Sequence, residues 1–366
     1  MKSRGERLQE RIRELGFDGV FLAPGDDVAY LVGTTPTPDE RPSFLAVTQE
    51  KRGWLVPELN KEQLLRHAQD FMASYSDDEG PREALQVLLH HLGLAGTKGL
   101  RLGVGEAMRA DFLLLLQEVL PGTEWWPATA AVGYVRSHKE PEEINRLEKA
   151  QAITDEVLAE VLASLRPGLR EAEVAQWVAA GFSRRGAQLL FAIVASGPET
   201  ALPHHHTSDR ILGEGEPVLL DVGCRYEGYV SDITRMAFLG EPSREYREVH
   251  GVVEEAVQKA LAAIEVGRPL AEVDRAAREV IEKAGFGPYF VHRVGHGIGM
   301  TGHEPPSVHG RNQDPIEPGL VFSVEPGIYL PGRFGVRLEE VAVVEERGAR
   351  VLSRLSRDVT VVRVKA

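Results

Sequence analysis

Cysteine is almost absent from this chain. Cys224 is the only one in 366 residues, so no intrachain disulfide forms and the composition points to a reducing compartment. No window approaches the roughly 18 consecutive apolar residues of a membrane helix. Met1 to Gly16 carries Arg and Glu where a secretory signal would carry an apolar core. A soluble, cytoplasmic protein without a membrane partner is the expectation. Positive charge is also in short supply: 42 Lys and Arg face 55 Asp and Glu, a formal net charge of -13. With no long basic run, the chain lacks the footprint of a nucleic-acid binder.

What remains is an ordinary globular composition, 43% hydrophobic and 27% charged, with length for more than one domain. Residues 3–15 place Leu8, Ile12 and Leu15 at helical spacing. Short apolar runs at Gly19–Leu22, Tyr30–Val32, Phe44–Val47, Trp54–Val56 and Leu100–Val104 read as strands. Arg82–Leu92 and Ala110–Leu120 read as helices. This alternation predicts an α/β domain over residues 1–135. The polar segment Arg136–Glu140 and then Pro141, suited to a first helical turn, mark the boundary. A long helix follows, its apolar stripe made by Ile144, Leu147, Ile153, Val157, Val161 and Leu165.

The second region, residues 136–366, carries an internal repeat at an offset of 99. Gly168, Glu173, Val174 and Gly186 meet Gly267, Glu272, Val273 and Gly285, and His204 meets His303. Each half runs from two helices into strands, an α+β unit with a pseudo-twofold. Such a duplication would set equivalent acids and histidines around a central cleft.

The chemistry-bearing residues interrupt apolar strands. Pro217–Val222 carries Asp221, and Tyr229–Arg235 carries Asp232. The intervening Cys224–Gly228 reads as a turn, making a hairpin with both acids on one face. The pattern recurs in Leu320–Glu325, ending on Glu325, and in Gly335–Val341, which carries Glu339. Between the pairs lies Gly295-His296-Gly297, whose glycines leave the imidazole uncrowded. Taken singly, Asp232 reads equally as a strand-end cap, Glu339 as a partner of Arg337, and His296 as a core histidine. Together, four acids cannot remain ionised in a dry site unless cations balance them. Two divalent ions supply the +4. Oxygen-rich ligation with one His suits Mn²⁺ first, with Co²⁺ or Zn²⁺ as alternatives. Two such ions roughly 3.5–4 Å apart can hold a bridging hydroxide at neutral pH.

In these motifs the sequence resembles the pita-bread metallopeptidases, which include methionine aminopeptidase, Xaa-Pro aminopeptidase and Xaa-Pro dipeptidase (prolidase). The resemblance runs over residues 140–360. It implies Asp221 as the acid that chelates one metal, Asp232 and Glu339 as bridging carboxylates, and His296 and Glu325 as ligands of the other metal. Glu340, where relatives often carry Asp, is not counted. It further implies His204 and His303 as histidines that bind the scissile amide, and Glu325 as proton shuttle. His205 and His206 make the first assignment ambiguous by a residue and otherwise read as exposed loop histidines. His292 matches a residue lining the proline-side pocket, Arg337 one that contacts substrate or orients ligands, and Tyr329 a tyrosine near the metals. The stretch Phe17–Gly33 resembles the N-terminal domain of creatinase and the proline-specific enzymes, which methionine aminopeptidases usually lack. Creatinase works without metals and typically lacks the full ligand set present here. The resemblance therefore implies hydrolysis of Xaa-Pro bonds in short peptides, by a homodimer. The chain length leans toward the dipeptidase, with the aminopeptidase as alternative and a non-catalytic binding module of the same fold as a remote one.

Overall fold

A computed structural model describes residues 2–363, and the chain divides into two compact units that part between Arg136 and Ser137. The first is built on a six-stranded mixed sheet. Its strands run, edge to edge, Phe71–Tyr75, Arg52–Pro57, Phe44–Thr48, Gly19–Leu22, Arg101–Val104 and Glu124–Pro127. The strand Gly19–Leu22 sits inside the sheet and is buried throughout, as an all-apolar run demands. The helix Arg4–Glu14 starts on a capping box made by Ser3 and Glu6 and buries Leu8 and Ile12.

One expected strand is absent. Tyr30–Val32 belongs to the helix Asp26–Val32. Asp26 and Asp27 sit in its first turn, where the helix dipole favours acids. Gly33 ends it with φ 77°, the left-handed cap that glycine adopts freely. Three apolar letters carried less information than these two end signals.

The second unit realises the repeat in its backbone. Helices Pro141–Ser164 and Glu171–Arg184 precede the strands Gln188–Ser196, Pro217–Tyr226 and Ile233–Leu239. Helices Arg244–Ala262 and Ala271–Lys283 precede a five-stranded sheet that includes Gly295–Gly297, Glu304–Val308, Val321–Val324 and Glu340–Glu345. The same loop hydrogen bonds recur in both halves. Gly168 N–H donates to Leu212 O and Ala172 N–H to Ser208 O. Gly267 N–H donates to Ile316 O and Ala271 N–H to Asn312 O.

The predicted Asp221–Asp232 hairpin forms with two changes. The first strand runs on to Tyr226, so the turn is only Glu227-Gly228, both at positive φ, as a two-residue hairpin requires. The second strand is interrupted at Ser231-Asp232, between Tyr229–Val230 and Ile233–Leu239. Glu339 likewise lies between strands. Phe334–Arg337 pairs with Gly327–Leu330 in a separate ribbon, and the chain then joins the five-stranded sheet at Glu340.

Glu340 has its own work. Its Oε1 accepts from Arg235 Nη2 at 2.7 Å, the two side chains being only 2% and 1% exposed. Arg235 also donates to the backbone carbonyls of Glu339, Leu355 and Ser356, so it ties the C-terminal segment to the hairpin. Removing one partner of such a pair strands a buried charge. Glu340→Ala should lower unfolding stability by about 3–5 kcal/mol in urea titration. A change under about 1 kcal/mol, the size of an exposed pair, would contradict this role.

Candidate metal centre and active site

Asp221 lies opposite Thr234 in the antiparallel register, two residues past Asp232, so one face of the hairpin carries both acids. His296 arrives from a strand that glycines allow into a crowded place. A Cβ at Gly295 would collide with the Ser323 carbonyl, and one at Gly297 with that of Pro305. The His296 Nδ1 lies 3.1 Å from its own neighbour's carbonyl, Gly297 O, which takes the Nδ1 proton and leaves Nε2 as the available ligand atom. That Nε2 is 3.2 Å from Glu325 Oε1 and 3.9 Å from Asp232 Oδ2.

Three of the five expected ligands form the tightest group. Asp232, His296 and Glu339 each offer a ligand atom, all within 4.8 Å of one another. Glu325 borders this group through His296. Asp221 stands beside Arg337, whose Nη2 donates to Asp221 Oδ2 at 2.7 Å, while Asp221 Oδ1 is buried with no hydrogen-bond partner among the described residues.

The electrostatics show what the acids lack. Burial, then repulsion from Asp221, lifts the Asp232 carboxyl well above its usual range. Burial, then repulsion from Asp232 and Glu325, does the same to Glu339. Burial also raises Asp221, although Arg337 pulls the other way. Burial would raise Glu325 too, but the hydrogen bond and charge of His296 prevail and bring it down to about 2. The reverse contest raises His296: burial opposes its charge, and Glu325 overcomes burial. With only protein charges to balance them, Asp221, Asp232 and Glu339 are pushed toward their protonated forms, while Glu325 stays ionised against His296. The orphaned Asp221 oxygen and the tight Asp232–His296–Glu339 group fit divalent cations, and the donors are hard oxygens with one imidazole. Cys224 stands apart, bonded to Thr154 and Ser231.

Around this centre runs a chain of polar contacts. Arg337 Nε donates to Thr234 Oγ1 at 3.2 Å, and Thr234 donates to Glu339 Oε2 at 2.8 Å. Arg337 Nη1 donates to Tyr329 OH at 3.0 Å and to Pro203 O at 3.3 Å. Tyr329 OH lies 2.8 Å from His292 Nε2, and His292 Nδ1 lies 2.7 Å from Arg293 O. Burial lowers the His292 pKa. Arg337 thus touches Asp221, Thr234 and Tyr329 together. The sequence pattern suggests Glu339 as its direct partner; in the structure Arg337 pairs with Asp221 and reaches Glu339 through Thr234. Nothing in the pattern singled out Thr234, although its place two residues after Asp232 sets it on the same face.

His303 packs its ring 3.9 Å from that of His296. Burial, then the neighbouring His296 charge, lowers its pKa to about 4, so it is neutral at pH 7. Its chain neighbour Glu304 is pinned by Lys139 at 2.7 Å, both side chains buried. His204 is exposed, and its charge also weighs on His303. His206 is exposed as expected, but His205 is not. It is buried, with Nε2 2.9 Å from Glu171 Oε2. The helix start at Glu171 supplies that anchor, a contact too remote in sequence for the loop composition to signal.

Residues 145–346 match metallopeptidase family M24, and residues 4–138 match the creatinase/prolidase N-terminal domain. The chain belongs to metallopeptidase family M24. It is 32% identical to the Xaa-Pro dipeptidase of Pyrococcus furiosus, over 98% of this chain and 99% of that protein. Among solved structures it resembles dipeptidase PepE of Mycobacterium ulcerans, with a TM-score of 0.93, 36% identity, and coverage of 99% and 97% of the two chains. It also resembles the X-Pro aminopeptidase of Thermotoga maritima, with a TM-score of 0.83, 31% identity, and coverage of 99% and 100%. The M24 domain has the pita-bread fold, and the family is one of metal-dependent hydrolases, which agrees with the donor set. No helix among the described residues is long and apolar enough to cross a membrane.

Because Asp232, Glu339 and His296 all bind protons more tightly than isolated side chains do, cations must displace those protons. Titrating Mn²⁺ into the metal-free protein at pH 7 should release protons, read as a binding enthalpy that changes with the ionisation heat of the buffer. A buffer-independent enthalpy would contradict the assignment.

Proposed function

We propose that this chain is a dinuclear metallopeptidase that hydrolyses the Xaa-Pro bond of dipeptides, with Asp221, Asp232, His296, Glu325 and Glu339 as ligands of two divalent ions, Mn²⁺ first. The observation that carries this reading is the tight Asp232–His296–Glu339 group joined to the His292–Tyr329–Arg337 chain. We assign residues 1–135 to the creatinase-like N-terminal domain and 136–366 to the catalytic pita-bread domain, in a cytoplasmic homodimer. The single cysteine supports the compartment.

Divalent ions bound there supply a water nucleophile at neutral pH and polarise the scissile carbonyl. The chain's own groups do the rest. Glu325 has 17% of its side chain exposed against 7% for Asp232, so it is the acid that meets incoming water. It takes the proton of the attacking water and returns it to the proline nitrogen as the C–N bond breaks. Neutral His303, with His204 beside it, donates to the oxygen on which charge develops. His292, its tautomer fixed by Arg293 O and Tyr329, lines the pocket for the proline ring. Arg337 orients Asp221 directly and Glu339 through Thr234. An Xaa-Pro amide has no N–H, so recognition falls on the ring and on the carbonyl.

A second reading, an Xaa-Pro aminopeptidase acting on longer peptides, draws on the whole-chain similarity to the Thermotoga maritima enzyme. Rates on Ala-Pro and Ala-Pro-Ala with Mn²⁺-loaded protein separate the two, the dipeptide being the faster on our reading. Glu339→Ala should abolish turnover of Ala-Pro and lower bound metal, measured by elemental analysis. Full activity with unchanged metal content would refute the assignment.

A further inference from the structure

We propose that Glu171 is a positioning residue for this reaction: from a buried helix start it grips His205 and so holds the preceding residue, His204, where it meets the scissile amide. The proposal rests on the peptidase reading above and deepens it. Of three consecutive histidines, it gives His204 the substrate and His205 the anchor.

Glu171 opens the helix Glu171–Arg184, and its side chain is closed to water. A carboxylate in that place is tolerated when its oxygens are satisfied. Oε1 accepts from Ser196 Oγ at 2.7 Å. Oε2 accepts from the Ser208 hydroxyl at 2.8 Å and the Ser208 backbone N–H at 3.1 Å. The remaining contact is His205 Nε2, at 2.9 Å. Among the described residues no lysine or arginine pairs with Glu171 directly. Arg210 reaches it only through Ser196 Oγ, to which it donates at 2.7 Å.

The His204 side chain is exposed and makes no hydrogen bond among the described residues, so its place is set by its neighbours. Those neighbours are held on both sides. Pro203 O accepts from Arg337 Nη1 at 3.3 Å, which ties the loop to the metal centre. His205 is held by Glu171. Thr207 Oγ1 accepts from Val194 N at 2.9 Å and donates to Ala192 O at 3.0 Å. Ala192 and Val194 flank Ile193, which lies opposite Asp221 in the antiparallel register. His204 is close enough to His303 for its charge to weigh on that imidazole. A loop fixed before substrate arrives lowers the ordering cost of binding.

The internal repeat carries the same device. At the offset of 99, His204 meets His303 and His205 meets Glu304. Glu304 is pinned by Lys139 at 2.7 Å, with both side chains buried. Each proposed substrate histidine is thus followed by a side chain held in a buried polar pair. In the first half the acid is the distant partner, and in the second it is the following residue.

The experiment compares Mn²⁺-loaded wild type, His204→Ala, His205→Ala, His205→Gln, Glu171→Ala and the double variant His204→Ala/His205→Ala on Ala-Pro. Bound metal is read by elemental analysis and folding by urea titration. His204→Ala should lower kcat roughly 100-fold, the scale of one lost donor to developing charge. His205→Ala should lower kcat roughly 10-fold through misplacement of His204, with KM and bound metal unchanged. It should remain folded, because Glu171 keeps Ser196 and Ser208. The double variant should be no slower than His204→Ala, since the anchor matters only while there is an imidazole to hold. His205→Gln, which offers Glu171 a side-chain N–H, should recover most of the rate. Glu171→Ala should slow turnover at least as much as His205→Ala, and the His205 variants carry the test if it does not fold. Losses that multiply in the double variant, a His205→Ala rate equal to wild type, or a loss of metal alongside the loss of rate overturn the inference and leave the peptidase reading intact. An unimpaired His204→Ala overturns it too, by removing the histidine the anchor serves. Wild type that does not cleave Ala-Pro takes down both.

Discussion

Asp232, Glu325 and Glu339 crowd around the His296 imidazole with Asp221 beside them, in a space nearly closed to water, and among the described residues Arg337 is the guanidinium that pairs with one of their carboxylates. Isolated carboxylates in such surroundings would be strongly disfavoured. One guanidinium cannot offset four anions, and the upward pull on Asp232 and Glu339 records the shortfall. Backbone features of the second unit serve this concentration of charge. Strands are interrupted at Ser231-Asp232 and at Leu338-Glu339, where a regular ladder would aim the side chains elsewhere. Gly295 and Gly297 let His296 in where any side chain on either flank would strike backbone.

Duplication supplies the frame. Two equivalent helix-pair and strand units close their loops with the same backbone bonds; the first carries Asp221 and Asp232 to the shared centre and the second carries His296, Glu325 and Glu339. Buried polar pairs outside the centre hold the pieces steady: the ion pairs Lys139 with Glu304 beside His303 and Arg235 with Glu340 beside Glu339, and the hydrogen-bonded Glu171 with His205 beside His204. In each case a buried pair sits one residue from a proposed active group. Such neighbours are placed to hold the proposed catalytic groups in position.

Much of this was legible in the sequence because buried charge is conspicuous in an apolar run. Asp221 within Pro217–Val222 and Glu325 after Val321–Val324 stand out for that reason alone, and the repeat follows from matched glycines. Contacts between distant residues were not legible. No local pattern shows that Arg337 reaches Glu339 through Thr234 or that His205 is buried against Glu171. Tyr30–Val32 failed differently: apolar residues suggested a strand, while Asp26, Asp27 and Gly33 had already written a capped helix. Short apolar runs fix burial better than they fix backbone conformation.

The most direct test is anomalous diffraction from a crystal soaked in Mn²⁺. The account predicts two peaks among the side chains of Asp221, Asp232, His296, Glu325 and Glu339. An empty centre, or peaks only at surface carboxylates, would contradict it.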